Sequence, residues 1–79
     1  MTYVYMIQSV EFPEHYYVGM TSDIKTRFAA HNRGESSHTA KFAPWRLVTY
    51  LAFVDAAKAN AFERYLKTAS GRAFAKKHF

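Results

Sequence analysis

Cysteine is missing from this 79-residue chain, which excludes a disulfide framework and any thiolate metal site. Glycine and proline are scarce, at three and two residues, and no internal repeat or low-complexity tract appears. Long apolar runs are lacking too. The most hydrophobic segment, Leu47 to Val54, is broken by Thr49 and ends at Asp55, far short of the roughly 20 residues a membrane-spanning helix needs. The opening Met1-Thr2-Tyr3-Val4-Tyr5 has no basic region followed by an apolar stretch, so a secretory signal is not expected and a cytoplasmic location is. Acidic residues are few, six Asp and Glu against eleven Lys and Arg, for a formal net charge of +5. That balance favours a polyanionic partner such as nucleic acid over an acidic protein or a neutral metabolite, although a solvated basic surface would give the same count. The four histidines, His15, His31, His38 and His78, lack zinc-ligand spacing.

What the chain does have is aromatic side chains, 18% of the total. Its length allows one small domain, residues 1–79, with a single compact core, and large rings bury much area per residue. Phe12, Phe28, Trp45, Phe53, Phe62 and Phe74 are expected there. Residues Tyr3 to Ser9 alternate in strand fashion, and Tyr16 to Met20 form a second short run. The stretch between them contains Pro13, which predicts a hairpin with a loop of several residues. Thr21-Ser22-Asp23 offers capping side chains for a helix that stops near Gly34. The polar segment Gly34 to Lys41 reads as a surface loop and a candidate mobile element. Arg46 to Val54 reads as a third strand, central or buried. A helix from Asp55 to about Ala69 follows, with Ser70-Gly71 interrupting it before a basic tail. A strand reached through a helix usually lies parallel to a neighbour. The expected fold is therefore α/β: a small three-stranded mixed sheet, an antiparallel hairpin plus a third strand, flanked by helices.

Both principal helices carry polar residues where apolar ones are expected. Ile24, Arg27, Phe28 and His31 fall at i, i+3, i+4 and i+7, one stripe of the first helix. In the second, Ala59, Phe62, Leu66 and Ala69 trace the apolar arc, and Glu63 lies inside it. Unpaired burial of such groups is costly. Arg27, His31 and Glu63 should thus either satisfy one another or line a solvated pocket shared with the sheet, as titratable residues at functional sites do. A rival for Glu63 is an i,i+4 salt bridge with Lys67. For Tyr3 and Tyr16, an ordinary sheet role is the expectation.

Tyr3-Val4-Tyr5, Tyr17-Val18-Gly19, Arg27, His31 and Glu63, in this order, resemble the motif set of GIY-YIG nuclease domains, particularly the small stand-alone kind similar to the catalytic domain of the excision-repair incision nuclease. The resemblance spans essentially the whole chain. It implies an endonuclease hydrolysing DNA phosphodiester bonds with one divalent ion, Mg²⁺ or Mn²⁺, on Glu63, in repair or recombination on particular DNA structures. A lone carboxylate suits Mg²⁺, which keeps much of its water shell. The resemblance assigns Arg27 to the scissile phosphate, where a rigid cation with directional donors is needed. Tyr17 would position or deprotonate the attacking water with Tyr5 and His31 in relay around it. Free tyrosine titrates near pH ~10, and which of the three is the base stays open. Met20 stands where several members carry lysine, no asparagine follows Glu63, and Tyr3 replaces the first glycine.

Lys41, Arg46, Arg64, Arg72, Lys76 and Lys77 are candidates for contacting a sugar-phosphate backbone. Sequence-specific readout would have to come from a partner protein. Two further readings remain: a nucleic-acid-binding module that keeps the nuclease shape with feeble or no cleavage, and a small basic interaction domain.

Overall fold

A computed structural model describes the chain from Met1 to Phe79. Its elements are strand β1 (Thr2–Ser9), β2 (Tyr16–Thr21), helix α1 (Ile24–Asn32), a single 3-10 turn (Ala40–Phe42), strand β3 (Trp45–Phe53), and helices α2 (Ala56–Leu66) and α3 (Ala69–His78). The strand order is β2-β1-β3. An α/β fold with a three-stranded sheet is thus as expected, but the sheet is not mixed. β1 pairs antiparallel with both neighbours. The expected crossover does occur, since β2 and β3 run in the same direction; they straddle β1 instead of touching, so no parallel ladder forms. By the same arrangement β1 is the central strand, and β3, expected to be central, lies at an edge.

Strand alternation splits β1 between two cores. Val4 and Met6 point to one face and join Val18 of β2, Ala59 and Leu66 of α2, and Ala75 of α3. Tyr5 and Ile7 point to the other, packing with Trp45 and against Ile24 and Phe28 of α1. The β3 register slips between the partners of Met6 and Ile7, leaving Val48 unpaired. Five of the six aromatics expected inside are buried or packed on these cores. Phe12 is the exception at 44% exposed: it sits in the six-residue connection between β1 and β2, its ring edge-on to Phe42 at the surface.

The helix starts follow local chemistry. Asp23 caps α1, its carboxylate accepting from the Thr26 backbone N–H at 3.1 Å, and Gly34 just past the helix adopts φ +74°, a left-handed conformation that suits glycine. Asp55 caps α2 in the same way through the Ala57 N–H at 2.8 Å. The break after α2 comes earlier than expected, at Lys67-Thr68, and Ser70-Gly71 lies inside α3. Thr68 is a better signal than Gly71: its hydroxyl accepts from the Gly71 N–H at 3.1 Å and starts α3. Gly71 serves close packing, because a Cβ there would stand 2.6 Å from Leu66 Cα and overlap the Tyr65 carbonyl.

Candidate active site

Residue Tyr5 sits in mid-strand, 2% exposed, directly opposite Gly19. That pairing makes room for its ring. A Cβ on Gly19 would approach Tyr5 Cε1 to 2.9 Å and lie closer still to Cζ and the hydroxyl, so the glycine of the second triplet is a packing requirement of the tyrosine in the first. The Tyr5 hydroxyl lies 2.7 Å from His31 Nε2. Tyr17, two residues before Gly19 and hence on the same face, completes an aromatic trio. Its ring centroid is 5.3 Å from that of His31 and 6.4 Å from that of Tyr5.

Helix α1 delivers His31 and Arg27 one turn apart. His31 is fully buried at the sheet, whereas Arg27 is exposed, makes no salt bridge, and lines a small polar cavity with His31, Ser36 and Ser37. Helix α2 brings Glu63. Its side chain is 16% exposed and its carboxylate holds Lys67 Nζ at 2.7 Å. Arg27, His31 and Glu63 therefore do not satisfy one another, as one of the two expectations had it; Arg27 and His31 line the polar cavity together, and Glu63 is not among its lining residues. The i,i+4 bridge weighed against a functional Glu63 is present, but the carboxylate is held in, not turned out into water.

The electrostatics tie the groups together. Burial raises the Tyr5 phenol above its ordinary pKa; the Arg27 guanidinium pulls the other way, while Tyr17 and the Glu63 charge add to the rise. Three groups, Arg27, Tyr17 and Glu63, are thus felt at one hydroxyl. For His31, burial first and the Arg27 charge second hold the imidazole below its usual value, which makes it neutral near pH 7. Its other nitrogen, Nδ1, is 2.6 Å from the Thr39 hydroxyl.

A family model described as the GIY-YIG catalytic domain matches residues 1–77. The chain belongs to the GIY-YIG family. Its domain is accordingly of the nuclease type, a family whose members are typically endonucleases, act on DNA and generally use divalent metal ions. No curated protein matches the chain. No helix is long and apolar enough to cross a membrane.

The basic candidates divide. Arg46, Arg72 and Lys76 line one groove of about 780 Å³ with Lys67, Tyr16 and Phe79. Lys41, Arg64 and Lys77 lie outside it; Lys41 instead stands over the Phe42 ring at 5.7 Å. Tyr16 is 55% exposed and accepts from the Gln8 amide at 3.1 Å, while Tyr3 packs edge-on to Tyr50, both as sheet residues. Sequence reasoning missed Thr39, which sits in the polar loop where nothing in its neighbourhood marks it for burial. It also missed Asn32, whose amide donates to the Trp45 carbonyl at 3.1 Å and whose oxygen accepts from the Trp45 N–H. Asn32 thereby fastens the end of α1 to the start of β3.

Proposed function

We propose that this protein is a metal-dependent endonuclease that hydrolyses DNA phosphodiester bonds at the cleft around Tyr5, Tyr17, Arg27, His31 and Glu63. The observation that carries this reading is that one guanidinium, one inward-held carboxylate and the Tyr17 phenol all act on the phenol of a single hydrogen-bonded Tyr5–His31 pair. Arg27 makes no salt bridge, the Glu35 carboxylate in its cavity being paired with Arg33, and is available to clamp the scissile phosphate and to stabilise the extra charge of in-line displacement. Tyr17 positions the attacking water. Tyr5 keeps its proton near neutral pH because its pKa is raised, and so acts as a fixed hydrogen-bond donor at the cleft.

The donor set fits a hydrated hard cation: no group of three or more acidic or histidine side chains is gathered anywhere, and a lone oxygen ligand suits Mg²⁺, which retains several waters. Glu63 would hold it, with the half-exposed Lys67 side chain free to swing aside. Bound there, the ion supplies Lewis-acid neutralisation of charge on the departing oxygen. The groove lined by Arg46, Arg72 and Lys76 would track the flanking backbone. We place the substrate among branched or damaged DNA structures of repair or recombination, with a partner protein supplying any sequence targeting.

The specific observation favouring the second reading, a binding module without cleavage, is the Glu63–Lys67 bridge, which occupies the carboxylate proposed to hold the metal. Incubating the purified chain with supercoiled plasmid and branched DNA, with Mg²⁺ or Mn²⁺, separates them. Nicking that disappears in Glu63→Ala and Arg27→Ala and with chelator supports the enzyme. DNA binding that survives chelation while no variant, parent included, nicks would establish the module.

A further inference from the structure

Thr39, His31 and Tyr5 form a buried line, 0%, 0% and 2% exposed, with 2.6 Å between the Thr39 hydroxyl and Nδ1 and 2.7 Å between Nε2 and the Tyr5 hydroxyl. Three protons are available to these two hydrogen bonds: one on each hydroxyl and one on the imidazole, which its depressed pKa keeps neutral. One proton is therefore surplus, and its place depends on the tautomer. If Tyr5 donates to Nε2, then Nδ1–H donates to Thr39, and the surplus proton is that of the Thr39 hydroxyl. That hydroxyl has no partner but Nδ1, so its proton would be sealed in the interior with nothing to accept it, a costly arrangement. If Thr39 donates to Nδ1, then Nε2–H donates to Tyr5, and the surplus proton is the Tyr5 O–H, at the cleft among Tyr17 and Arg27. Of the two ends of the line this is the one beside an exposed polar group, since Arg27 is exposed and lines a polar cavity with His31, so a proton there is the less costly to leave without a protein acceptor.

We infer that Thr39 is a positioning residue that locks His31 in the Nε2–H form, so that His31 donates to Tyr5 and aims the Tyr5 hydroxyl proton into the cleft. His31 is then not the proton acceptor of the reaction, since its one free lone pair, on Nδ1, faces Thr39 and not the cleft. The loop that holds Thr39 is built for this. The Thr39 backbone N–H donates to Ser36 at 3.1 Å, and its carbonyl accepts from Trp45 Nε1 at 2.9 Å, so the segment Gly34 to Lys41, expected to be mobile, is pinned at its centre. The role of this line in cleavage rests on the endonuclease reading; the tautomer itself does not.

Two measurements test the inference separately. Nitrogen NMR of the metal-free, isotope-labelled chain at pH 7.5, with His31 assigned by comparison with His31→Gln, reads the ring nitrogens directly. The expected result is Nδ1 at the position of an unprotonated nitrogen and Nε2 at that of a protonated one; the reverse order overturns the inference whether or not the chain cuts DNA. In plasmid nicking, Thr39→Ser keeps kcat close to the parent value. Thr39→Val lowers kcat by about tenfold or more, the scale seen when a group that orients a functional side chain is lost, with KM for DNA unchanged and both nitrogen signals shifted toward an average. A folded Thr39→Val chain with parental ring-nitrogen signals and kcat also overturns it. Should that variant not fold, the parent spectrum and Thr39→Ser still decide.

Discussion

Replacing Gly19 with alanine should damage the site through Tyr5 without touching any chemical group in it. The added Cβ would lie 2.9 Å from Tyr5 Cε1 and closer to the atoms beyond, under the contact distance real side chains tolerate. Tyr5 cannot swing aside freely, because it is 2% exposed and bonded to His31. Overpacking of a tight core costs about 1–3 kcal/mol, and loss of the Tyr5–His31 hydrogen bond adds about 1 kcal/mol. The total, about 2–4 kcal/mol, is a large fraction of the roughly 4–12 kcal/mol expected for a domain of this length. Melting followed by circular dichroism should show Tm lower by roughly 10 to 30 °C. Because Gly19 has no positive φ, alanine there is not strained in itself. In a Tyr5→Leu background the Cβ finds room, and Gly19→Ala should become neutral or even stabilising by ~0.5 kcal/mol through reduced unfolded-state entropy. Gly71→Ala is the contrast: it should destabilise by pushing α3 off α2 while leaving the His31 nitrogen signals of the folded fraction unchanged. A Gly19→Ala protein with parental Tm, or one equally destabilised with Tyr5 or Leu at position 5, would refute the packing argument.

Stability should also depend on pH through His31, whose folded pKa is depressed by burial. The sign is set by the unfolded chain binding more protons below its own pKa of about 6.5. The contribution is present in full above that value and is lost as pH falls from there through the folded value; urea midpoints should decline more steeply across that window in the parent than in His31→Gln, and equal slopes would count against it. Lys67→Met frees the Glu63 carboxylate from an exposed-partner ion pair worth only about 0.2–1 kcal/mol. The Mg²⁺ concentration for half-maximal nicking should therefore fall by about 1.4- to 5-fold, and an unchanged requirement would mean that Lys67 does not compete at the site. Arg72→Ala and Lys76→Ala, which line the groove, should each weaken DNA binding and reduce the salt slope by about 1, measured by fluorescence anisotropy at several ionic strengths. Lys77→Ala, outside the groove, should do less.

Much of the architecture was legible because local rules sufficed. Asp23 and Asp55 cap their helices as a carboxylate before an apolar period should, and the β1–β2 connection is as long as Pro13 demanded. Misreadings arose where a residue had two uses. Gly71 looked like a helix breaker and is a helix-packing contact, and the apolar run of β3 looked central although it flanks β1 at an edge with α-helical cover. At the site, spacing alone brought Arg27 and His31 onto one helix and Glu63 onto the inner arc of another. It also offered Lys67 as the partner of Glu63, an i,i+4 contact within one helix, but could not say that Thr39 and Tyr5 would bond His31, because those groups meet only once the helix and loop are packed on the sheet.

By itself the amino-acid order determined which segments form strands and helices, which faces they bury, and which chemical groups those faces carry, since periodicity and capping act over a few residues. Tertiary structure alone decided that β1 runs between its neighbours, that Gly19 opens space for Tyr5, and that a threonine from a polar loop reaches His31. Those outcomes depend on contacts between distant parts of the chain, where shape and hydrogen-bond supply, not local preference, select the partner.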